Sequence, residues 1–553
     1  MFNINSDFRV RISKIFILIS SLFICGLPVI QTNADPEIDV GKQIYKSGML
    51  PHGKPVQAVG QSGLRITGIQ TTCANCHRSS GYGSSEGSII APAITGKFLY
   101  SARENYHREL SSTRRTGVGV RPAYTDETLR HAIRDGIAAD GHQLSEFMPR
   151  FELSENELDS LVAYLKVLAN KEVPGVTNEY FEFATVITPD VPDSTKQALL
   201  SLFRTYINRI NAGTRHETRR AENPPWHKSW HYTAYRKWRL HIWELTGKPE
   251  SWKKQLERLY QKQPIFALVN GTGTSWNNIH NFCESNEIPC LFPTTDIPGN
   301  KKPGFYSLYF SKGINLDAGV IAKHILSNNK NETIIQVYSD TEARAVEAKN
   351  TLNLLLSGNK SITVKNIMFN KNNHSSILKN LLDMKSPYSL ILWGDYPELL
   401  RKIKLTNKKI PDQNIYLSSR FLPNGLNTTL PKQYDKINFA HSFTLPENNR
   451  KKLLRFTSWA RINKISVPDE RVMANGFFAL TMLVDATRHI KNNISREYLI
   501  ERIEHMVDNT VFHSVYPHLS LGPNQRYASK GGYIIKYDKD KGIMPENVKW
   551  IIP

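Results

Sequence analysis

Apolar residues recur at helical spacing in some stretches of the chain and form short continuous or alternating runs in others. In LSENELDSLVAYLKVL, Leu158, Leu161, Val162, Leu165 and Leu168 fall on one stripe, and Ser154 with Glu157 forms a capping box ahead of them. TDETLRHAIRDG predicts a shorter helix stopped by Gly136, and DVGKQIYKSG predicts one with Gly41 and Tyr45 on a single face. The pattern changes after the Pro/Gly-bearing KEVPGVTNEY. Strand-like EFATVIT, WRLHIWELTG, PIFALVNG, IPCLFPT, TIIQVYS, YSLILWG, NIYLSS and INFAHSF follow, interspersed with helix-like STKQALLSLFRTYINRIN, ESWKKQLERLYQ and SWNNIHNFCESN, and then the long apolar MANGFFALTMLVDATRHI. Alternating β and α units predict an open, mostly parallel sheet with helices on both faces, and this stretch is long enough for two such lobes.

The start of the chain fits neither pattern. Arg9, Arg11 and Lys14 precede an apolar run from Ile15 to about Ile30, which predicts a secretory signal peptide over residues 1–34 with cleavage after Ala34. The run is shorter than a spanning helix needs, and no later segment reads as a membrane span. Cys25 is a poor lipidation site because bulky Phe23 and Ile24 precede it. The mature chain is therefore expected in an oxidising compartment, the periplasm.

With 553 residues, 40% hydrophobic and 22% charged, the composition is that of a multidomain globular protein. The formal charge of +21 falls to about +19 without the leader. This implies an acidic protein partner or an anionic membrane surface, or simply a lysine-rich solvated exterior. WHKSWHYTAYRKWRLHIW interleaves aromatic and basic residues as single-strand nucleic-acid binders do, but export argues against nucleic acid and for a docking face or domain junction.

TTCANCHRSS carries the most specific chemistry, with Cys73, Cys76 and His77 within five positions. A structural zinc site would need a further closely spaced Cys/His pair, which is missing nearby. A thioredoxin-like redox pair should link a buried strand to a helix, whereas a weak strand and the loop RSSGYGSSEG flank this one. The remaining reading is one covalently attached haem c, with both thiols on the macrocycle and His77 on the iron. Cys283 and Cys290, at a helix end and a strand start, are left to pair as a disulfide or to stay as buried free thiols; the disulfide is expected.

With these flanking helices, residues from about 38 to 172 resemble a class I c-type cytochrome domain. The resemblance implies an all-α fold and a methionine as sixth iron ligand on a loop before the last helix. Met148 in EFMPRFELSENEL occupies that place, with His131 and His142 as rivals, and Pro92 in IIAPAITG matches the proline whose neighbourhood orients the proximal histidine.

PIFALVNGTGTSWNNIHNFCESNEIPCLFPTTDIP and the closing hairpin LGPNQRYASKGGYIIKY make the rest of the chain similar to type I periplasmic solute-binding proteins, the branched-chain amino acid receptors. That resemblance implies a ligand carboxylate held by hydroxyls and backbone N–H groups of two loops, here Thr274 and Ser275, then Thr294 and Thr295. Asp296 stands where the family commonly has a hydroxyl residue. On the second lobe, Trp393, Asp395, Tyr396, Ser419 and Arg420 end strands on the cleft side.

The organisation expected is a signal peptide over 1–34, a cytochrome c domain over 35–172, a linker over 173–180 and a two-lobed α/β binding-protein-like domain over 181–553. The implied function is periplasmic electron transfer through haem c, not enzymatic catalysis, with the second module docking a redox partner such as a dehydrogenase. The alternative is a receptor for a small polar solute with the haem as redox or sensing module.

Overall fold

The computed structural model describes residues 36–104, 120–222 and 236–553, apart from 88, 171, 300–303, 329–331, 371–372, 384–387, 406–414, 423–424, 427–429, 491–492, 510–513, 541 and 544–547. The expected signal peptide and most of the aromatic and basic run lie outside the described residues; the end of that run, Lys237–Glu244, is a strand.

The N-terminal unit is built on a crossing of the Pro36–Ser47 and Glu155–Val167 helices. The crossing is close because Gly41 has no side chain: a Cβ there would lie 2.0 Å from the Ser160 carbonyl oxygen. One turn away the Tyr45 and Tyr164 rings sit 5.4 Å apart, centroid to centroid. The capping box is formed, with Ser154 N–H donating to Glu157 Oε2 at 2.8 Å. The middle helix runs Asp126–Arg134, and Gly136, at φ +72°, turns the chain away just beyond it.

The unit is not all-α as expected. Gln57–Val59 pairs antiparallel with Arg65–Thr67 on one side and Arg150–Glu152 on the other, and two short antiparallel ribbons, Ser84–Glu86 with Ile89–Ala91 and Arg103–Glu104 with Val120–Arg121, complete it. Ala58 and Phe151 face each other in register and are both buried. Three-residue strands are too short to show the alternation by which strands are recognised in sequence.

Beyond residue 180 the chain forms two lobes around parallel sheets. The first sheet has the order Ser307–Leu308, Cys290–Leu291, Ala267–Val269, Tyr180–Ile187, Lys237–Glu244, all parallel. The second has five parallel strands, Ile362–Met368, Glu332–Tyr338, Tyr388–Trp393, Ile415–Ser418 and Asn438–His441, followed by antiparallel Tyr533–Asp538 and Gly542–Ile543. Each sheet is covered by apolar packing on both faces. The Glu470–Ile490 and Arg496–Asn509 helices return to the first lobe, packing with Leu199 and Phe203 of the Asp193–Glu222 helix. The expected closing hairpin forms one step later in the chain: Tyr533–Asp538 pairs with Gly542–Ile543, while Tyr527 bridges to Tyr309 of the first lobe.

The stretch between the units is packed rather than free. Gly175, at φ +81°, lies so close to the Ile265–Phe266 backbone that a Cβ would meet Phe266 N at 2.1 Å. The Arg496 guanidinium donates to the carbonyls of Ile265 at 2.6 Å and Pro174 at 3.4 Å.

Candidate functional site

Cys73, Cys76 and His77 lie on one helical turn, with His77 N–H donating to the Cys73 carbonyl at 2.9 Å. Asn75 Nδ2 donates to the Ile69 carbonyl at 2.9 Å and Ser84 Oγ to the Cys76 carbonyl at 2.6 Å, tying the turn to the chain on both sides. His77 is buried, and its Nδ1 lies 2.8 Å from the Pro92 carbonyl oxygen. Burial lowers its pKa, against the opposing effect of that hydrogen bond, so the ring is neutral at pH 7. Nδ1 then carries the proton given to Pro92, and the lone pair is on Nε2. Burial also pushes the Cys73 thiol up to about 12, and desolvation raises that of Cys76, so neither is a thiolate poised for redox exchange. Among the described residues no group of three or more His, Cys, Asp or Glu side chains is arranged to hold a metal ion.

This donor set fits haem c: two thiols one turn apart, and beside them a neutral imidazole oriented through its far nitrogen. Met148 is half-buried and packs against the same apolar core as Cys73 and Ala74. Its loop is pinned by Arg150, whose guanidinium donates to the carbonyls of Met148 and, at 3.0 Å, of Leu144. Gly136 makes room for that guanidinium, since a Cβ there would lie 2.0 Å from it. The rival histidines are exposed and engaged elsewhere: His131 Nδ1 with Asp135 at 2.7 Å, and His142 Nδ1 with Asp140.

The loop after His77 plugs into the first lobe. Arg78 adopts φ +65°, ψ 163°, a region that non-glycine residues rarely occupy. Its carbonyl accepts from Tyr45 Oη at 2.7 Å, and its guanidinium meets the Glu504 carboxylate at 2.5 Å. Ser80 donates its N–H and hydroxyl to Glu501, and the Tyr82 ring lies 4.4 Å from that of Tyr498. Burial pushes the Glu501 carboxyl up to about 7, despite the Ser80 hydrogen bonds and the Arg78 charge. Glu501 and Glu504 were not singled out by sequence. Their signal is two carboxylates three apart on a helix face otherwise lined by Leu499, Ile500, Ile503 and Val507.

A second cluster lies where the strands of the two lobes end. Asp296, 5% exposed, meets Arg471 at 2.6 Å, Arg420 at 3.0 Å and Arg344 at 3.3 Å. Burial alone would raise its pKa; the three guanidinium groups hold it well below the carboxylate range. Arg420 also reaches Asp317 at 3.1 Å and Ser442 Oγ at 2.8 Å. The sequence pointed to Asp296 and Arg420 but not to their partners Arg344 and Arg471, each within the first two positions of a helix, where a cation opposes the helix dipole.

Most of the other expected ligand residues make hydrogen bonds within the protein. Thr274 N–H donates to Asp190 Oδ2 at 2.8 Å, Thr295 Oγ1 donates to the Thr274 carbonyl at 2.9 Å, and Thr294 Oγ1 accepts from Asn270 Nδ2 at 3.3 Å. Ser275 is half-buried and bridges to Ile297. Trp393 and Tyr396 are buried in the second lobe, Tyr434 Oη donates to Asp395, and Ser419 Oγ pairs with His441 Nδ1 at 2.8 Å; of the second-lobe candidates, Arg420 is the one joined to Asp296. Cys283 and Cys290 are both buried free thiols, so the expected disulfide is not formed. Cys290 Sγ accepts from Trp276 Nε1 at 3.3 Å, and burial, with a hydrogen bond to Cys290, raises the Cys283 pKa, which keeps it a neutral thiol.

No protein-family model matches the chain, and no curated protein matches it. Among solved structures it is similar to a branched-chain amino acid ABC transporter protein from Thermus thermophilus with bound valine, at 11% identity over 68% of this chain and 98% of that one, with a TM-score of 0.49. A solute-binding protein from Rhodopseudomonas palustris in complex with 3,4-dihydroxybenzoic acid aligns at 12% identity over 68% and 96%, with a TM-score of 0.47. A leucine-binding protein from Thermotoga maritima aligns at 13% over 67% and 97%, with a TM-score of 0.44. Among the described residues no helix is long and apolar enough to cross a membrane.

Proposed function

We propose that the chain is an exported, periplasmic electron-transfer protein in which a unit carrying one haem c is fixed to a two-lobed scaffold of the solute-binding-protein kind. The observation that carries the reading is the His77–Pro92 contact at 2.8 Å, which presents a neutral imidazole beside the paired thiols of Cys73 and Cys76. Haem held there would supply a one-electron couple at an iron ligated by His77 and Met148. The protein contributes the orientation of His77, the pinning of the methionine loop by Arg150 and the clamping of the Arg78–Tyr82 loop by the first lobe. Such a module passes electrons to a redox partner, for which the excess positive charge favours an acidic surface.

The test is the mass and reduced-minus-oxidised optical spectrum of the purified, exported protein. One covalently bound haem with a reversible one-electron midpoint is expected. A chain of unmodified mass with no visible absorption overturns the reading.

A second reading, a receptor for a small polar solute with the haem as its redox or sensing module, is favoured by the buried polar groups gathered at the strand ends of both lobes, Asp296, Asp317 and Arg420. Ligands of open parallel sheets bind at such strand ends. Calorimetry with amino acids, amides and polyamines separates the two: heat of binding with a change of midpoint potential supports the receptor, and neither supports the scaffold.

A further inference from the structure

The cleft cluster joins the two lobes through one residue. Asp296 follows a strand of the first lobe, while Arg344 and Arg420 belong to elements of the second, and Arg471 opens a helix that packs on the first. The Arg420 side chain is fully shielded from solvent, and Arg344 is further held by Glu342 at 2.6 Å. Three guanidinium groups thus meet the carboxylates of Asp296, Asp317 and Glu342, with Asp469 also acting on Arg471, so each guanidinium has counter-charge without any added anion. At the neighbouring loop Asp190 accepts both the Thr274 N–H and the Thr188 hydroxyl.

We propose that this cleft is liganded by the chain itself: Asp296 and Asp190 take the places open to a solute's carboxylate, and Asp296 latches the two lobes together. Arg420, Arg471 and the Thr274 N–H, donors suited to a carboxylate, are already engaged by Asp296 and Asp190. A solute acid entering here would have to displace a buried carboxylate from Arg420 and Arg471, leaving that group with Arg344 alone, which is more costly than the new pair is worth. The inference rests on the two-lobed fold and not on the haem. Its measurements are of unfolding and shape, so it can fail while the haem reading stands, and the reverse.

The test removes the internal carboxylate and returns one from solution. In Asp296→Ala the arginines lose their counter-charge, so the thermal midpoint of the holoprotein should fall. Sodium formate or acetate should restore several degrees of it, well beyond the effect of sodium chloride at equal ionic strength. Wild type should respond to the carboxylates no more than to chloride. Should Asp296→Ala not fold, Asp296→Asn keeps the shape without the charge; small-angle scattering should then show a larger radius of gyration than wild type as the lobes part. A wild-type midpoint that rises specifically with formate, acetate or an amino acid would show an open carboxylate site and overturn the proposal. So would an alanine variant with an unchanged midpoint, or an asparagine variant with unchanged midpoint and radius.

Discussion

Ser80, three residues after the histidine of the Cys-x-x-Cys-His motif, donates its backbone N–H to Glu501 at 2.9 Å and its hydroxyl to the same carboxylate. The bond crosses from the N-terminal unit to the first lobe, where Glu501 is almost wholly buried. An acid placed there is stabilised in its protonated form, and this gives the junction a pH dependence.

Because the folded pKa of Glu501 is about 7, above the ordinary glutamate value of 4.5, the native state holds a proton that the unfolded chain has lost at intermediate pH. The contribution of this group is fully present below 4.5 and is lost as pH rises through 7, a loss of about 3 kcal/mol. Glu501→Gln should flatten this dependence. Thermal midpoints of wild type and variant measured from pH 5 to pH 8 should diverge, with wild type falling relative to the variant.

Gly41→Ala should destabilise the N-terminal unit by about 2–3 kcal/mol, because the added Cβ would collide with the Ser160 carbonyl and force the two helices apart. Gly213→Ala is the contrast. It lies in a helix with nothing within 4 Å of its would-be Cβ and should stabilise by about 0.5–1 kcal/mol. Denaturant midpoints for the two variants should move in opposite directions.

Cys283 and Cys290 should resist thiol reagents in the native protein and both react once it is unfolded without reductant, since they are buried thiols. Labelling followed by mass spectrometry counts them. No label after unfolding would mean that the pair is oxidised.

If haem c is held as proposed, Met148→Ala should leave it attached, as Cys73, Cys76 and His77 are untouched, while lowering the midpoint potential and admitting carbon monoxide to the ferrous form. His142→Ala should change neither, because His142 is exposed and bound to Asp140. The reverse pattern in the optical spectra would make the iron bis-histidine.

Periodicity made the long elements legible. The stripe from Leu158 to Leu165 is a helix, Ser154 and Glu157 cap it, and Gly41 with Tyr45 marks its crossing partner. It failed for the short strands around Ala58 and Phe151, where three residues carry no period, and for Ile362–Met368, an edge strand whose KNI centre is polar. The motif and Pro92 could be read because their spacing is local. Glu501, Arg344 and Arg471 could not, because their roles depend on partners far away in the chain that folding alone brings near. The disulfide expectation rested on counting thiols, which says nothing of the apolar packing that surrounds both.

The Ser80–Glu501 bond spans 421 residues. During synthesis from the N-terminus, the segment after His77 is made long before the helix that will clamp it, and the Arg78 guanidinium is left without its Glu504 anchor for most of that time. If haem c is held at Cys73 and Cys76 as proposed, the turn has an interval in which its flanks are open to attachment, and completion of the chain closes that interval. On the proposed haem reading, attachment to the cysteines would belong to the nascent protein, and a truncation that removes residues 496–509 should prolong the period of access rather than abolish it.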